Sequence, residues 1–328
     1  MKKYLYCLLC LAALLCGACT EDGKKKGSVK GKAQSAPYEL LVVTNKEWVA
    51  TEAGQSLMNV VKAPIEGLPQ MEESFRVTTI NESAFTSTFK AYGSIVFAQV
   101  GSKYKEPEMR ISQDEYCAPQ IIIFLSAPDD ASFMALVEAR SQQIMNLLNQ
   151  KELDRECSFL SKRYSGAVMR QAQKQFGVSI KAPEDIDDVK AGKDFFWSSA
   201  SKQEFRTNIC MYTLPLRDLS LDDFVAARDS VMKINIPGGR DDQWMETDPR
   251  TVTNRLIECN GNSVMEVRGL WDMRNDAMGG PFVSYIQVDT LNQRLLVAEG
   301  FVFAPEEKKR PIIRQLEASL QTIILPQK

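Results

Sequence analysis

The segment Gln120–Leu125 constrains the fold most, because Ile121–Phe124 is a continuous run of β-branched and aromatic residues. Such a run predicts a strand that is buried on both faces. Directly after it, Ala127–Asp130 predicts the start of a long helix, since proline is tolerated in the first turn and acids favour the positive end of the helix dipole. A buried strand followed by a helix requires layers in which helices pack on sheets.

The rest of the chain continues this alternation of strands and amphipathic helices, and a second helix is predicted from about Leu153 to Phe176. The turn Asn260-Gly261-Asn262 predicts a hairpin, and a second hairpin is predicted around 289–293. Ser220 is the predicted cap of one helix, and Ala304–Glu307 is the predicted start of the last. We therefore expect an α+β fold with mixed or antiparallel sheets and packed amphipathic helices.

The acidic segment Ala182–Gly192 interrupts the pattern and predicts two α+β halves, 38–182 and 183–328. Residues 124–130 and 301–307 both combine a strand, an Ala-Pro pair, two acids and a following helix. This similarity has two interpretations. The halves are related by duplication, or both segments show the common way to begin a helix after a strand.

The N-terminus has the layout of a secretory signal peptide over residues 1–18. Lys2 and Lys3 precede the uncharged run Leu5–Leu15, which is shorter than the about 20 residues that span a bilayer. The small residues before Cys19 resemble a bacterial lipobox, which predicts palmitate or a similar lipid on Cys19. Cys16 departs from that pattern, since an aliphatic residue is usual there, so cleavage after Ala18 to give a secreted product is the alternative.

The residues after Cys19 predict a tether. Glu21-Asp22 resembles the export signal of Bacteroidetes surface lipoproteins, or it is the solvated start of a linker. Gly23–Ala36 is rich in Lys, Gly and Ser and has no apolar period. We expect a lipidated N-terminus and flexible linker over 19–37, and a protein of the cell envelope anchored to the outer membrane, either periplasmic or surface-exposed.

The absence of histidine from all 328 residues excludes Ser-His-Asp and Cys-His catalysis and every metal site that needs imidazole. The net charge of −2, near −4 without Lys2 and Lys3, argues against a nucleic-acid partner. No cofactor is expected. Paired carboxylates, a Ser-Lys pair or a lone thiol remain as catalytic options.

Four cysteines remain beyond the N-terminal region: Cys117, Cys157, Cys210 and Cys259. They form no CxxC pair, which argues against a zinc or thioredoxin-like motif. In an exported protein they form disulfides or remain as buried thiols.

The segment Gly269–Phe282 is the strongest candidate for a ligand site. It is predicted to form a long loop. In this loop Trp271 would offer a stacking surface, Arg274 would contact an anion, and Asp272 and Asp276 would supply carboxylates. The favoured interpretation is nevertheless a long loop whose Trp271 and Phe282 pack on the core. The segment 238–244 has similar residues, and there a turn with a buried tryptophan is the favoured interpretation.

Several of these features together resemble a family of uncharacterised Bacteroidetes lipoproteins, defined only as a domain of unknown function. They are the lipobox at Cys19, the opening strand with the Trp48 helix, Gly67–Glu72 before Phe75, and the loop 271–282. The resemblance implies an envelope location and supplies no catalytic residues.

Three functions are compatible with the sequence. The leading hypothesis is a membrane-anchored, non-catalytic protein that binds another envelope component, either a protein or a glycan. The second is a carboxylate-dependent hydrolase of glycan or peptide that uses Asp272 and Asp276. The third is a scaffold subunit of an envelope complex.

Overall fold

Six α-helices and three sheets make up residues 30–201 and 206–326, which are the residues that the computed structural model describes. The predicted α+β class is confirmed. The helices are α1 (Glu52–Val61), α2 (Ser87–Lys90), α3 (Asp130–Leu160), α4 (Gly166–Phe176), α5 (Leu221–Asn235) and α6 (Lys309–Gln321). The strands are β1 (Gly31–Lys32), β2 (Glu39–Val43), β3 (Arg76–Ile80), β4 (Ser94–Val100), β5 (Glu108–Gln113), β6 (Cys117–Ala118), β7 (Ile121–Ala127), β8 (Asp188–Gly192), β9 (Phe195–Ser201), β10 (Arg206–Pro215), β11 (Met245–Cys259), β12 (Asn262–Met273), β13 (Gly279–Asp289) and β14 (Arg294–Phe303).

The first large sheet has the order β3-β2-β4-β7-β5, in which β5 alone is antiparallel to its neighbour. Its central strands are covered on both faces, as the run at Ile121–Phe124 predicted. One face packs on α1 and α3 through Leu57 and Phe133. The other packs under Phe85 and Phe89. Parallel strands need this double cover, because their connections cross over the faces.

The second large sheet is antiparallel throughout, with the order β11-β12-β13-β14-β10-β9-β8. α4 and α6 cover one face, and α5 covers the other. Both predicted hairpins are confirmed: Asn260 and Gly261 have φ of 51° and 74°, and 290–293 joins β13 to β14. The two large sheets do not repeat one topology, which argues against a duplication that relates 124–130 to 301–307.

The longest helix corrects the predicted helix boundaries. Sequence periodicity placed a second helix from about Leu153 to Phe176, whereas α3 runs unbroken to Leu160 and α4 starts at Gly166. Glu152 is a charged residue on the buried side of α3. Its carboxylate accepts hydrogen bonds from the Tyr38 amide at 3.0 Å and the Ser94 hydroxyl at 2.6 Å, so the helix buries a charge without ending.

The last helix begins at Lys309 and not at the predicted Ala304–Glu307. The Glu72 carboxylate accepts hydrogen bonds from the backbone N–H groups of Lys309 at 2.7 Å and Arg310 at 3.1 Å. A carboxylate at this end satisfies donors that lack a partner within the helix and complements the helix dipole. A residue distant in sequence therefore fixes the start of α6.

Residues 1–29 lie outside the described residues, and they include the predicted signal peptide, Cys19 and much of the predicted linker. Among the described helices, none combines the length and the apolar character that a membrane crossing requires.

Gly280 provides a test of strand packing in the antiparallel sheet. A Cβ at Gly280 would collide with the carbonyl oxygen of Val302, whereas a Cβ at Gly101 would have nothing within 4 Å. We expect Gly280→Ala to lower the free energy of unfolding by about 1–3 kcal/mol or more, since crowding in a packed interior forces the backbone to shift. Gly101→Ala is the matched control and should change it by less than about 0.5 kcal/mol. Chemical denaturation measures both; equal effects would contradict the packing.

Candidate functional site

The predicted loop around Trp271 is shorter than the sequence indicated. β12 extends to Met273 and β13 begins at Gly279, so only 274–278 connects the strands. Trp271 is 2% exposed, and its ring packs edge-on against Phe301 with 5.8 Å between centroids. Phe282 is also buried. Both aromatic residues belong to the core, and the buried indole offers no open face for a ligand.

The polar residues of this loop remain at the surface, beside the other segment that the sequence singled out. The Arg274 guanidinium lies 4.7 Å from the centre of the Trp244 ring and 3.8 Å from the Glu246 carboxylate. The Asp276 carboxylate accepts a hydrogen bond from the Gln243 amide at 3.0 Å. The structure thus joins two loops that the sequence treated separately.

These contacts bind the two loops to each other. The Arg240 guanidinium donates to the Asn275 carbonyl at 2.9 Å, and the Asn275 amide donates to the Asp242 carboxylate at 3.2 Å. Asp272, on β12, is exposed and pairs in register with Glu246 and Gly279. The cluster is therefore a surface network that holds the end of the sheet together.

The four cysteines within the described residues are free thiols. Burial raises the pKa of Cys157 and Cys259 to about 11, and it also raises the pKa of Cys117 and Cys210. A thiol acts as a nucleophile only as the thiolate. These side chains therefore remain protonated at neutral pH and lack the activation that a catalytic cysteine needs.

A groove of about 850 Å³ lies between α3 and β11. Its volume falls within the range of about 300–1,000 Å³ that is usual for ligand sites. Side-chain amides from α3 form one wall, the end of β11 forms the other, and β12, β13 and α6 form the floor. The residues of the α3 wall are Gln142, Gln143, Asn146, Leu147, Asn149, Gln150 and Leu153, those of β11 are Arg255–Glu258, and those of the floor are Glu266, Arg268, Tyr285, Arg314, Glu317 and Gln321.

The floor of the groove is a network of buried charges. Glu266 accepts hydrogen bonds from the guanidiniums of Arg268 at 2.8 and 3.0 Å and of Arg255 at 2.7 Å. Glu317 forms ion pairs with Arg268 and, at 2.9 Å, with Arg314. Because Glu266 and Arg268 belong to β12 and Glu317 to α6, the network fixes the helix to the sheet.

The network also reaches the opposite wall. The Arg314 guanidinium donates to the Asn149 amide oxygen on α3 at 3.2 Å and lies 5.1 Å from the centre of the Tyr38 ring. Three secondary-structure elements are thereby held at fixed positions around the groove. Such a preorganised polar surface loses little freedom when a ligand binds.

The charges of the floor are held in their ionised forms. Burial raises the pKa of Glu266, but the Arg268 and Arg255 guanidiniums outweigh that effect and hold it at about 2. Burial likewise lowers the pKa of Arg268, and the carboxylates of Glu317 and Glu266 more than compensate. A general acid or base needs a pKa near the working pH. This floor suits recognition better than proton transfer.

Sequence reasoning missed the groove, although two local signals were present. Glu266 and Arg268 stand two residues apart in a predicted strand, which places both side chains on one face. Arg314 and Glu317 stand three apart on the last helix, which places them side by side. Their meeting with each other and with α3 is a tertiary contact that neither pattern encodes.

Two family models match the chain. One is described as domain of unknown function DUF8532 and matches residues 33–160; the other is domain of unknown function DUF4837 and matches residues 165–322. The chain is thus covered by uncharacterised families, in agreement with the part of the resemblance that concerns a domain of unknown function. No curated protein matches the chain.

Among solved structures, the chain is similar to the Ran-binding protein Mog1p of Saccharomyces cerevisiae. The TM-score is 0.30 at 11% identity, over 45% of this chain and 89% of Mog1p. A mutant of Mog1 gives the same TM-score and identity, over 45% of this chain and 90% of the mutant. At this TM-score the likeness defines neither the fold nor the function.

The ionic floor should give stability a characteristic pH dependence. The folded pKa of Glu266 lies below its ordinary value of 4.5, so its contribution is complete above pH 4.5 and disappears as the pH falls toward 2. That shift corresponds to about 3 kcal/mol. We therefore expect the stability difference between the wild type and Glu266→Gln to be constant near neutral pH and to shrink by that amount in acid.

Urea denaturation from pH 7 to pH 2 measures this difference. Glu258→Gln, an exposed carboxylate in the same hairpin, is the matched control for the loss of a charge. A difference for Glu266→Gln that stays the same at every pH would show that Glu266 gains nothing from its arginine partners.

Proposed function

We propose that this chain is a lipid-anchored protein of the cell envelope that binds another envelope component without chemical change, in the groove between α3 and β11. The observation that carries the binding role is the groove itself: amides on one wall, an open strand on the other, and mutually paired arginines and glutamates beneath. The proposal agrees with the leading sequence hypothesis and gives it a site.

The residues that line the groove indicate the chemistry of the ligand that it would bind. Side-chain amides both donate and accept hydrogen bonds, and five of them project from α3: Gln142, Gln143, Asn146, Asn149 and Gln150. The arginines and glutamates of the floor neutralise each other, so nothing in the groove selects a strongly charged molecule. An elongated, uncharged and hydrogen-bonding polymer, either a glycan or a peptide, fits this chemistry.

The anchor is proposed from the sequence around Cys19. Two or more acyl chains on this cysteine would hold the protein at a membrane, since each buried methylene contributes about 0.8 kcal/mol. The segment 23–29, which precedes β1, would then give the folded part some reach from the bilayer. A tethered binding module of this kind works at the surface where its partner is displayed.

The anchor predicts a clear result with Cys19→Ala. Radioactive palmitate should label the wild type and leave the variant unlabelled, and repeated washing of the membranes should release the variant and retain the wild type. Protease added to intact cells then reports the side of the membrane: digestion indicates surface exposure, and protection until lysis indicates the periplasm. Label on Cys19→Ala, or wild type in the soluble fraction, would contradict the anchor.

Binding through the groove can be measured once the anchor is removed. In the Cys19→Ala background, any association with isolated envelopes reports the folded part alone. We expect saturable co-sedimentation, reduced at least tenfold by the double change Asn146→Arg and Gln150→Arg, because both residues are exposed on the α3 wall and arginine adds bulk and charge. This loss corresponds to about 1.4 kcal/mol or more.

Gln113→Arg on β5 is the matched control, since it makes the same kind of change at an exposed position outside the groove. Equal binding by the groove variant and the control would refute the site. Release of a cleaved product from the envelope would refute the non-catalytic role.

A further inference from the structure

The edge of the seven-stranded sheet at β11 carries a further inference. β11 is the first strand in the sheet order, and among the residues that the structure describes it pairs with β12 alone. An edge strand presents unpaired N–H and C=O groups, which another extended chain can use to add a strand. Whether it does so depends on which groups face outward and on whether anything covers them.

The hairpin turn determines which groups face outward. Asn260 and Gly261 form a two-residue turn with positive φ, so Cys259 and Asn262 exchange hydrogen bonds across it. Hydrogen-bonded and non-bonded pairs then alternate along the ladder. The residues that direct both N–H and C=O away from β12 are therefore Asn254, Leu256 and Glu258.

The same part of the strand opens into the groove. Arg255–Glu258 line it as four consecutive residues. Alternate side chains of a strand point to opposite faces, so consecutive residues line one cavity only at the strand edge. Leu256 is 76% exposed, and within the described residues no backbone–backbone hydrogen bond joins Asn254–Glu258 to an element other than β12.

The opposite wall is at the right place to cover an added strand. The amides of α3 face β11 across the groove, and each can accept from or donate to a peptide group. On the face of β11 that carries Arg255, alternate side chains of an added strand would point down to the Glu266–Arg268 floor. A strand in this position would have backbone partners on one side and amides on the other.

The charges that line the groove determine which kind of extended segment can bind there. The charged residues that line the groove are three of each sign, namely Arg255, Arg268, Arg314, Glu258, Glu266 and Glu317. The lining has no net charge and the ions of its floor are paired with one another, so the charge of a basic or acidic segment lying on the floor would lose water and find no free partner there. Serine, threonine, asparagine and glutamine side chains match the available donors and acceptors.

We propose that the groove binds an extended, uncharged polar segment of a partner protein by strand addition to β11 at Asn254–Glu258. This inference rests on the proposed function and makes it specific, since it assigns a protein and not a glycan as the ligand. Recognition by strand addition takes its affinity from main-chain hydrogen bonds and its specificity from pockets for alternate side chains.

The nature of the ligand is tested on the envelopes that bind the Cys19→Ala protein. Protease treatment of the envelopes should abolish the binding that depends on Asn146 and Gln150, and periodate oxidation of glycans should leave it intact. The opposite result would keep the groove as a glycan site and overturn strand addition. Absence of any groove-dependent binding would refute the proposed function itself.

The mode of binding is tested with the pair Leu256→Pro and Leu256→Ala. Both lose the leucine side chain, but only proline removes the outward N–H, and an edge strand tolerates proline at such a position. We expect Leu256→Pro to bind periodate-treated envelopes at least tenfold more weakly than Leu256→Ala does. Equal affinities of two variants that are both folded by circular dichroism would overturn the proposal.

Amide hydrogen exchange on the unmutated hairpin gives a second readout, which does not depend on a substitution in β11. The probe is an uncharged eight-residue peptide selected from a displayed library for binding that the Asn146→Arg, Gln150→Arg variant loses. Its addition should slow exchange at Asn254, Leu256 and Glu258. Strand addition would be overturned if exchange slowed elsewhere, or if no groove-dependent peptide were selected. It would also be overturned if the protein formed a dimer through β11 without peptide, since the edge would then bind a second copy.

Discussion

The buried ion network around Glu317 is the interaction on which the arrangement of helices and sheet depends. It joins Arg268 on β12 to Arg314 on α6, and through Arg314 it reaches Asn149 on α3. Removing one member of such a network is costly, about 3–5 kcal/mol, because the remaining charges stay buried without a partner. The charges therefore restrict the elements to one geometry. The groove floor consists of the same atoms, so the stability of the fold and the shape of the site have one origin.

Long-range carboxylate contacts complete this framework. Glu72, from a loop of the N-terminal region, caps α6, and Glu152 on α3 binds the Tyr38 amide and the Ser94 hydroxyl. In both cases an acidic side chain satisfies backbone or hydroxyl donors that are remote in sequence. The abundance of acids that sequence reasoning weighed as catalytic pairs has a structural explanation at these positions. Their charges stabilise particular helix ends and particular strands.

The local features of the fold were readable from sequence, because each depends on neighbouring residues. The Asn260-Gly261 turn, the Ser220 cap of α5 and the doubly buried strand at Ile121–Phe124 follow from side-chain chemistry over a few positions. The predicted start of α6 was wrong because a distant residue, Glu72, fixes where this helix begins. Trp271 was ambiguous for the same reason, since its burial depends on Phe301 across the sheet. The groove was not predictable, because its walls and floor come together only through tertiary packing.

The edge of β11 is informative because the features that usually protect an edge strand do not lie at the segment Asn254–Glu258. Native sheets protect their edges with prolines, bulges and outward charges. Here Pro249 and the register shift between Asp248 and Thr253 lie at the far end of the strand, and the Arg255 guanidinium is paired with Glu266 on the neighbouring strand at 2.7 Å. The stretch from Asn254 to Glu258 is left open where it faces the amides of α3. An edge that had only to avoid association would be protected along its whole length. Protection of one end and exposure of the other is the arrangement expected of an edge that receives a strand.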